Sequence, residues 1–189
     1  SKSVQSRVDA FERFCQKGVP SLKQEHWKYS PLSKDLIQFQ SLKFSLNQDK
    51  SFNDTHFEKF DHYKILLKDG VLISEEVKEE DLEITKYKQD QFYEIKKNQI
   101  LDFNNAFFTP GFEIRVDSNA NIKKPIVIYN YFSKDFDGNN INNKNFIYLD
   151  KNSKAEIYEK NIFEDEKDLF FTKNLDIELE QDANLVKYY

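Results

Sequence analysis

The chain has 189 residues, a formal charge of −5 and a single cysteine, Cys15. That length suits one domain able to bury a core unaided, and one cysteine excludes an internal disulfide or a zinc site built on several thiolates. No apolar run approaches the roughly 18 residues of a membrane span, and a net acidic chain with only Arg7, Arg13 and Arg115 as arginines lacks a nucleic-acid footprint. Residues 1–10 lack the uninterrupted apolar stretch of a secretory signal, so a reducing compartment is expected.

Val4, Val8, Phe11 and Phe14 or Cys15 recur at helical spacing, which predicts an amphipathic first helix. Gly18 and Pro20 follow as a stop. Cys15 falls on the apolar stripe and is read as a small buried hydrophobe. Ser21 and Gln24 have the spacing of a capping box, predicting a second short helix that ends near Tyr29 or Ser30, before Pro31. Trp27, the only tryptophan, and Tyr29 are expected to pin that helix onto the rest of the molecule.

Residues 36–60 drift from helical to alternating periodicity and are read as mixed. Ile65 to Lys68, then Asp69-Gly70, then Val71 to Ile73 is a hairpin signal, because Asp-Gly suits a tight primed turn. Glu75 to Glu83 carries six acids against one lysine. It is read as a solvated loop anchored by Val77 and Leu82.

From Phe112 onward the sequence repeats. Val116-Asp117-Ser118-Asn119-Ala120-Asn121 recurs as Leu149-Asp150-Lys151-Asn152-Ser153-Lys154 and as Leu179-Glu180-Gln181-Asp182-Ala183-Asn184. Each copy follows an alternating strand and precedes another apolar stretch, and its Asn or Asp before a small residue is turn chemistry. A repeat of this length predicts stacked units that share one core. The expected architecture is therefore a β-solenoid with interior ladders of Phe, Ile and Leu; an antiparallel sandwich with look-alike turns is the alternative. The division expected is a helical segment over 1–35, a mixed α/β segment over 36–104 with the hairpin at 65–73, and a solenoid over 105–189. An apolar strand running to Tyr188-Tyr189 and the lack of methionine suggest a solenoid truncated at its C-terminal end.

Little points to catalysis. His56 and His62 lie near Asp54, Glu58 and Asp61, but their spacing matches no compact metal pattern. The acids of Glu164 to Asp168 read as a second solvated loop. Gly18, Gly70, Gly111 and Gly138 stand too far apart for a phosphate loop. No catalytic, cofactor-binding or metal-binding residue is assigned.

One segment carries more. Gly18-Val19-Pro20, then Glu25-His26-Trp27-Lys28-Tyr29-Ser30-Pro31-Leu32, resembles the N-terminal signature of the SufD family, the non-ATPase scaffold of SUF iron–sulfur cluster assembly. Tyr63 to Ile73, Asn104 to Phe107 with Gly111 and Ile114 to Val116, Ile122 to Ile126, and Lys144 to Ile147 are similar to further family segments in the same order. Asn104 stands where the family usually has Leu, and Pro110 where it usually has an acid; both are read as affecting loop geometry alone. The signature residues Gly18, Pro20, Glu25, Trp27, Lys28, Tyr29 and Pro31 are read as structural.

The resemblance implies a mainly β protein, a right-handed parallel β-helix preceded by short helices and a hairpin. It implies pairing with a SufB-type subunit and with a SufC-type ATPase, the latter through regions outside this chain, or a homodimer in isolation. It implies a transient iron–sulfur cluster in the full complex and none on this chain, in the cytoplasm or a plastid-type organelle, with no membrane or nucleic-acid partner. The alternatives are a β-helix carbohydrate-active enzyme and a structural solenoid with unrelated partners.

Overall fold

A computed structural model describes residues 2–21, 23–24, 28, 52, 54–77, 79–88, 98–165 and 168–189. The protein is mostly β, with an N-terminal helix and two sheets rich in parallel strands.

Helix α1 spans Lys2–Lys17. It stops at Gly18, which adopts φ +68 and donates its N–H to Phe14 O at 2.8 Å; glycine takes this left-handed cap without a steric penalty. The capping-box spacing is met in one half, since Ser21 N–H donates to Gln24 Oε1 at 3.4 Å. The expected second short helix falls mostly outside the described residues, Trp27 included; Lys23, Gln24 and Lys28 lie in turns or bends.

Strands β1 (Tyr63–Lys68) and β2 (Val71–Glu76) form the expected hairpin. Asp69 and Gly70 adopt φ 49 and 83, the two positive values that a primed turn requires. The acidic run is only partly loop, because Glu75 and Glu76 belong to β2 and Leu82–Lys86 forms β3. Leu82 is buried and Val77 packs on the core, so the two apolar anchors act as expected.

Helix α2 spans Gln99–Phe107, and Asn98 caps it by accepting the Leu101 N–H at 2.8 Å. There follow β4 (Thr109–Val116), β5 (Ile126–Phe132), β6 (Asn140–Leu149), β7 (Lys154–Phe163), β8 (Phe170–Leu179) and β9 (Asn184–Tyr188). The strands form a five-stranded sheet, β2-β1-β5-β7-β9, and a four-stranded sheet, β3-β4-β6-β8, and from β4 onward consecutive strands alternate between them. The repeat-region strands pair in parallel, so the antiparallel sandwich does not hold.

The repeated hexads are the turns between strands. Asn119, Asn152 and Asp182 hold φ 62, 56 and 59, the left-handed conformation that Asn and Asp tolerate best. Each turn closes on itself, through Ala120 N–H to Asp117 O, Ser153 N–H to Asp150 O and Ala183 N–H to Glu180 O. Each also stacks on the next: Asn119 N–H donates to Lys151 O and Asn152 N–H to Gln181 O.

Register turns this repetition into a core. Ile114, Ile147 and Ile177 lie side by side, as do Val116, Leu149 and Leu179; Ile126 and Ile157 face them from the other sheet. Of the expected ladders of Phe, Ile and Leu, these columns hold Ile, Val and Leu. Each fully buried isoleucine contributes about 1.5–3 kcal/mol through the water its surface gives up.

Outside the sheets lie two covers. Helix α2 lies over the four-stranded sheet and α1 packs on α2, through Phe14 against Phe103 at 5.2 Å and Phe11 against Phe107 at 5.7 Å. Asp102 of α2 accepts from Arg13 Nε at 2.8 Å and Lys17 Nζ at 3.1 Å. The packed face of α1 keeps only part of the expected stripe, Phe11 and Phe14. Ala10 is buried and Arg7 lies 4.0 Å from the Phe108 ring, while Val4, Val8 and Cys15 are exposed. Cys15 is thus not a core residue. The second cover, residues 54–62, crosses the five-stranded sheet.

Candidate functional site: the aromatic face of the five-stranded sheet

Alternation along β5, β7 and β9 places Val127, Tyr158 and Tyr188 side by side in register on the outer face. Tyr158 and Tyr188 stack with ring centroids 4.7 Å apart and planes inclined by 15°. Tyr129, fully buried, sits farther along β5.

Residues 54–62 lie across this face like a strap. Phe57 packs on Tyr129 at 4.5 Å and Phe60 on Tyr158 at 6.3 Å. Lys160 Nζ donates to His56 O at 3.1 Å and to Glu58 Oε1 at 2.7 Å. The Tyr129 hydroxyl accepts the Glu58 N–H at 2.9 Å and lies 3.0 Å from His62 Nε2. His62 Nδ1 lies 2.7 Å from Phe60 O. A carbonyl can only accept, so Nδ1 carries a proton; Nε2 of the neutral ring then accepts from Tyr129.

Beside the strap runs a groove of about 530 Å³, walled by Glu58, Phe60, Tyr158, Lys160, Asn161 and Tyr188. That volume lies within the usual range for ligand sites. The Tyr158 hydroxyl donates to Glu156 at 2.6 Å, and this bond with burial pushes its pKa up to about 12. Burial likewise pushes the Tyr129 phenol up, against the Glu58 N–H bond, which lowers it. Both phenols remain protonated donors at neutral pH.

No family model and no curated protein matches the chain. The reading of the site rests on its own chemistry.

At the end of the stack, β8 and β9 are the outermost strands of their sheets. Their inward-facing Ile177 and Leu179 remain 45% and 47% exposed, because no further strand lies beside them among the described residues. Next to them Glu159 is buried and accepts from Lys173, from Lys187 Nζ at 2.6 Å and from Asn130 Nδ2 at 2.7 Å. Burial alone would raise the Glu159 carboxyl, but the two ammonium groups outweigh it and hold the carboxyl below its ordinary range. With both oxygens engaged, Glu159 works as a structural anion.

A third polar group lies beneath α2. Lys144 is fully buried and donates to Asn105 Oδ1 at 3.0 Å; its ammonium also sits 5.8 Å from the Tyr87 ring and 5.6 Å from Phe108. Burial pulls its pKa down, opposed by Asp176, and burial pushes the Asp176 carboxyl up. Asn104 donates to Asn143 O at 3.1 Å and Thr172 Oγ1 at 2.8 Å. Asn104 therefore lies in a buried helix and ties α2 to β6 and β8, contrary to the expectation that it affects loop geometry alone. Pro110 likewise belongs to a strand, β4.

The sequence-selected residues fall out as follows. Pro20 is buried after α1, and Lys28 is exposed. Glu25, Trp27, Tyr29 and Pro31 lie outside the described residues. His62 is engaged by Phe60 and Tyr129, and no set of three potential metal ligands occurs among the described residues. No helix among them is long and apolar enough to cross a membrane. Sequence reading missed the Tyr158–Tyr188 pair; the signal available was the equivalent position of the two tyrosines after successive hexads.

Proposed function

We propose that this chain is part of a SufD-like scaffold of iron–sulfur cluster assembly, built as a right-handed parallel β-helix and without catalysis of its own. The observation that carries this reading is the parallel pairing of each strand from β4 onward with the strand one repeat away, while consecutive strands change sheet. Stacking of this kind gives a stiff body that displays columns of side chains, which suits a protein that positions partners. The residue order from Gly18 to Leu32, with the later segments that resemble the family, adds to it.

In this reading a SufB-type subunit pairs along the β-helix. A SufC-type ATPase engages regions outside this chain, and the assembled complex holds the cluster transiently. The setting is the cytoplasm or a plastid-type organelle. Co-expression of the full-length protein with tagged SufB-type and SufC-type subunits should yield one complex on gel filtration with light scattering. A protein that elutes alone while the other two associate overturns the reading.

A further inference from the structure

The strap over the aromatic face is held by Lys160, by the Phe57 and Phe60 ring contacts and by the Tyr129 hydroxyl, and the bonding of that hydroxyl depends on the protonation of one imidazole. We propose that residues 54–62 are an acid-releasable strap: protonation of His62 frees the segment from Tyr129 and opens the groove it walls.

With His62 neutral, the chain of bonds is complete. His62 Nδ1–H donates to Phe60 O, the Tyr129 O–H donates to Nε2, and the Glu58 N–H donates to the Tyr129 oxygen. Protonation turns Nε2 into a second donor facing a hydroxyl hydrogen. The hydroxyl must then turn its hydrogen away, and Tyr129 is fully buried, so no water waits to receive it. A buried donor left without an acceptor costs the arrangement more than the bond contributed.

Of the other charged groups around the strap, Lys59 is exposed, Glu58 pairs with Lys160 and Asp61 with Lys124. The Tyr63 hydroxyl donates to Glu79, Lys64 lies over the Phe57 ring, and Tyr158 donates to Glu156. His56 accepts from Lys160 through its backbone carbonyl. Among the described residues around the strap, His62 is the titratable group whose protonation reverses the direction of a hydrogen bond to the sheet. Because Glu58 and Phe60 wall the groove, loosening the strap widens it beside Tyr158 and Lys160.

Amide hydrogen exchange across residues 54–62 tests this, read at about pH 8 and about pH 5.5 and corrected for the intrinsic rate. Protection of the Glu58 amide should fall at least about tenfold on acidification, the scale of one lost buried hydrogen bond. His62→Gln should remove the pH response, His56→Gln should retain it, and Tyr129→Phe should leave the amide poorly protected at both values. Protection changing by less than about twofold, or a response that survives in His62→Gln, overturns the proposal. If either variant unfolds, nitrogen-15 shifts of His62 in the unaltered protein decide: a neutral ring protonated at Nε2 overturns it.

Discussion

Asn152 donates its side-chain amide to the side-chain oxygen of Asn119 at 3.0 Å, and both residues hold left-handed backbone, φ 56 and 62. Two successive turns are thereby joined both by their backbones and by their side chains. Asn152→Gly keeps the conformation and loses the bond, whereas Asn152→Ala loses the bond and strains the backbone as well. Urea unfolding should show a loss of about 1 kcal/mol for the glycine variant and about 2 kcal/mol for alanine. Equal losses would mean that backbone strain plays no part.

Two glycines should respond differently to alanine. A Cβ on Gly111 would lie 1.9 Å from Asn145 Oδ1 and 3.2 Å from Lys144 O. It would also displace the Asn145 oxygen that accepts the Phe112 N–H at 3.1 Å. Gly111→Ala should cost about 2–3 kcal/mol. Gly18 has nothing within 4 Å and φ +68, so Gly18→Ala should cost only about 1 kcal/mol of conformational strain. Thermal unfolding compares the pair, and a reversed order would contradict the close approach at β4.

Acid should weaken the end of the stack through Glu159. Its carboxyl is held below the ordinary range in the folded state. Its contribution is therefore present above the unfolded carboxylate value and is lost as pH falls through the lower folded value. Glu159→Gln should lose about 2–3 kcal/mol at neutral pH, because Lys173 and Lys187 keep their charges without the shared anion. The variant should also show a shallower acid limb in a pH–stability profile; an unchanged limb would assign acid sensitivity to other groups.

Asp102 is the hinge of the helical cover. Its side chain is 4% exposed and accepts from Arg13 and Lys17. Asp102→Ala should free α1 while leaving the sheets intact, so limited proteolysis should cut within Lys2–Lys17 sooner. Circular dichroism at strand wavelengths should change little. Unaltered cleavage would show that Phe11 and Phe14 hold the helix by themselves.

The legible parts of this fold are those decided by neighbours in sequence. Asp69-Gly70 and the three hexads announce their turns because positive φ at Asp69, Asn119, Asn152 and Asp182 is a local demand on residue type. What escaped was decided by distant partners. Helix α2 was hidden because Asp102, Asn104 and Asn105 interrupt its apolar pattern, and they are there to meet Arg13, Thr172 and Lys144. In the sequence His62 belongs to a group of acids and histidines whose spacing matches no compact metal pattern. Its actual partner, Tyr129, lies 67 residues away, and no spacing rule reports that. Cys15 is misplaced for a related reason: α1 meets α2 through Phe11, Phe14, Arg13 and Lys17, and that contact leaves Cys15 outside.

The in-register pairing of β1, β5, β7 and β9 makes the chain a ruler. Neighbouring strands lie about 4.8 Å apart, so residues one repeat apart on this sheet sit one strand spacing from each other. Positions one repeat apart, such as Tyr158 and Tyr188, share a single column, and a substitution there edits one rung of a surface that reads upward in fixed steps.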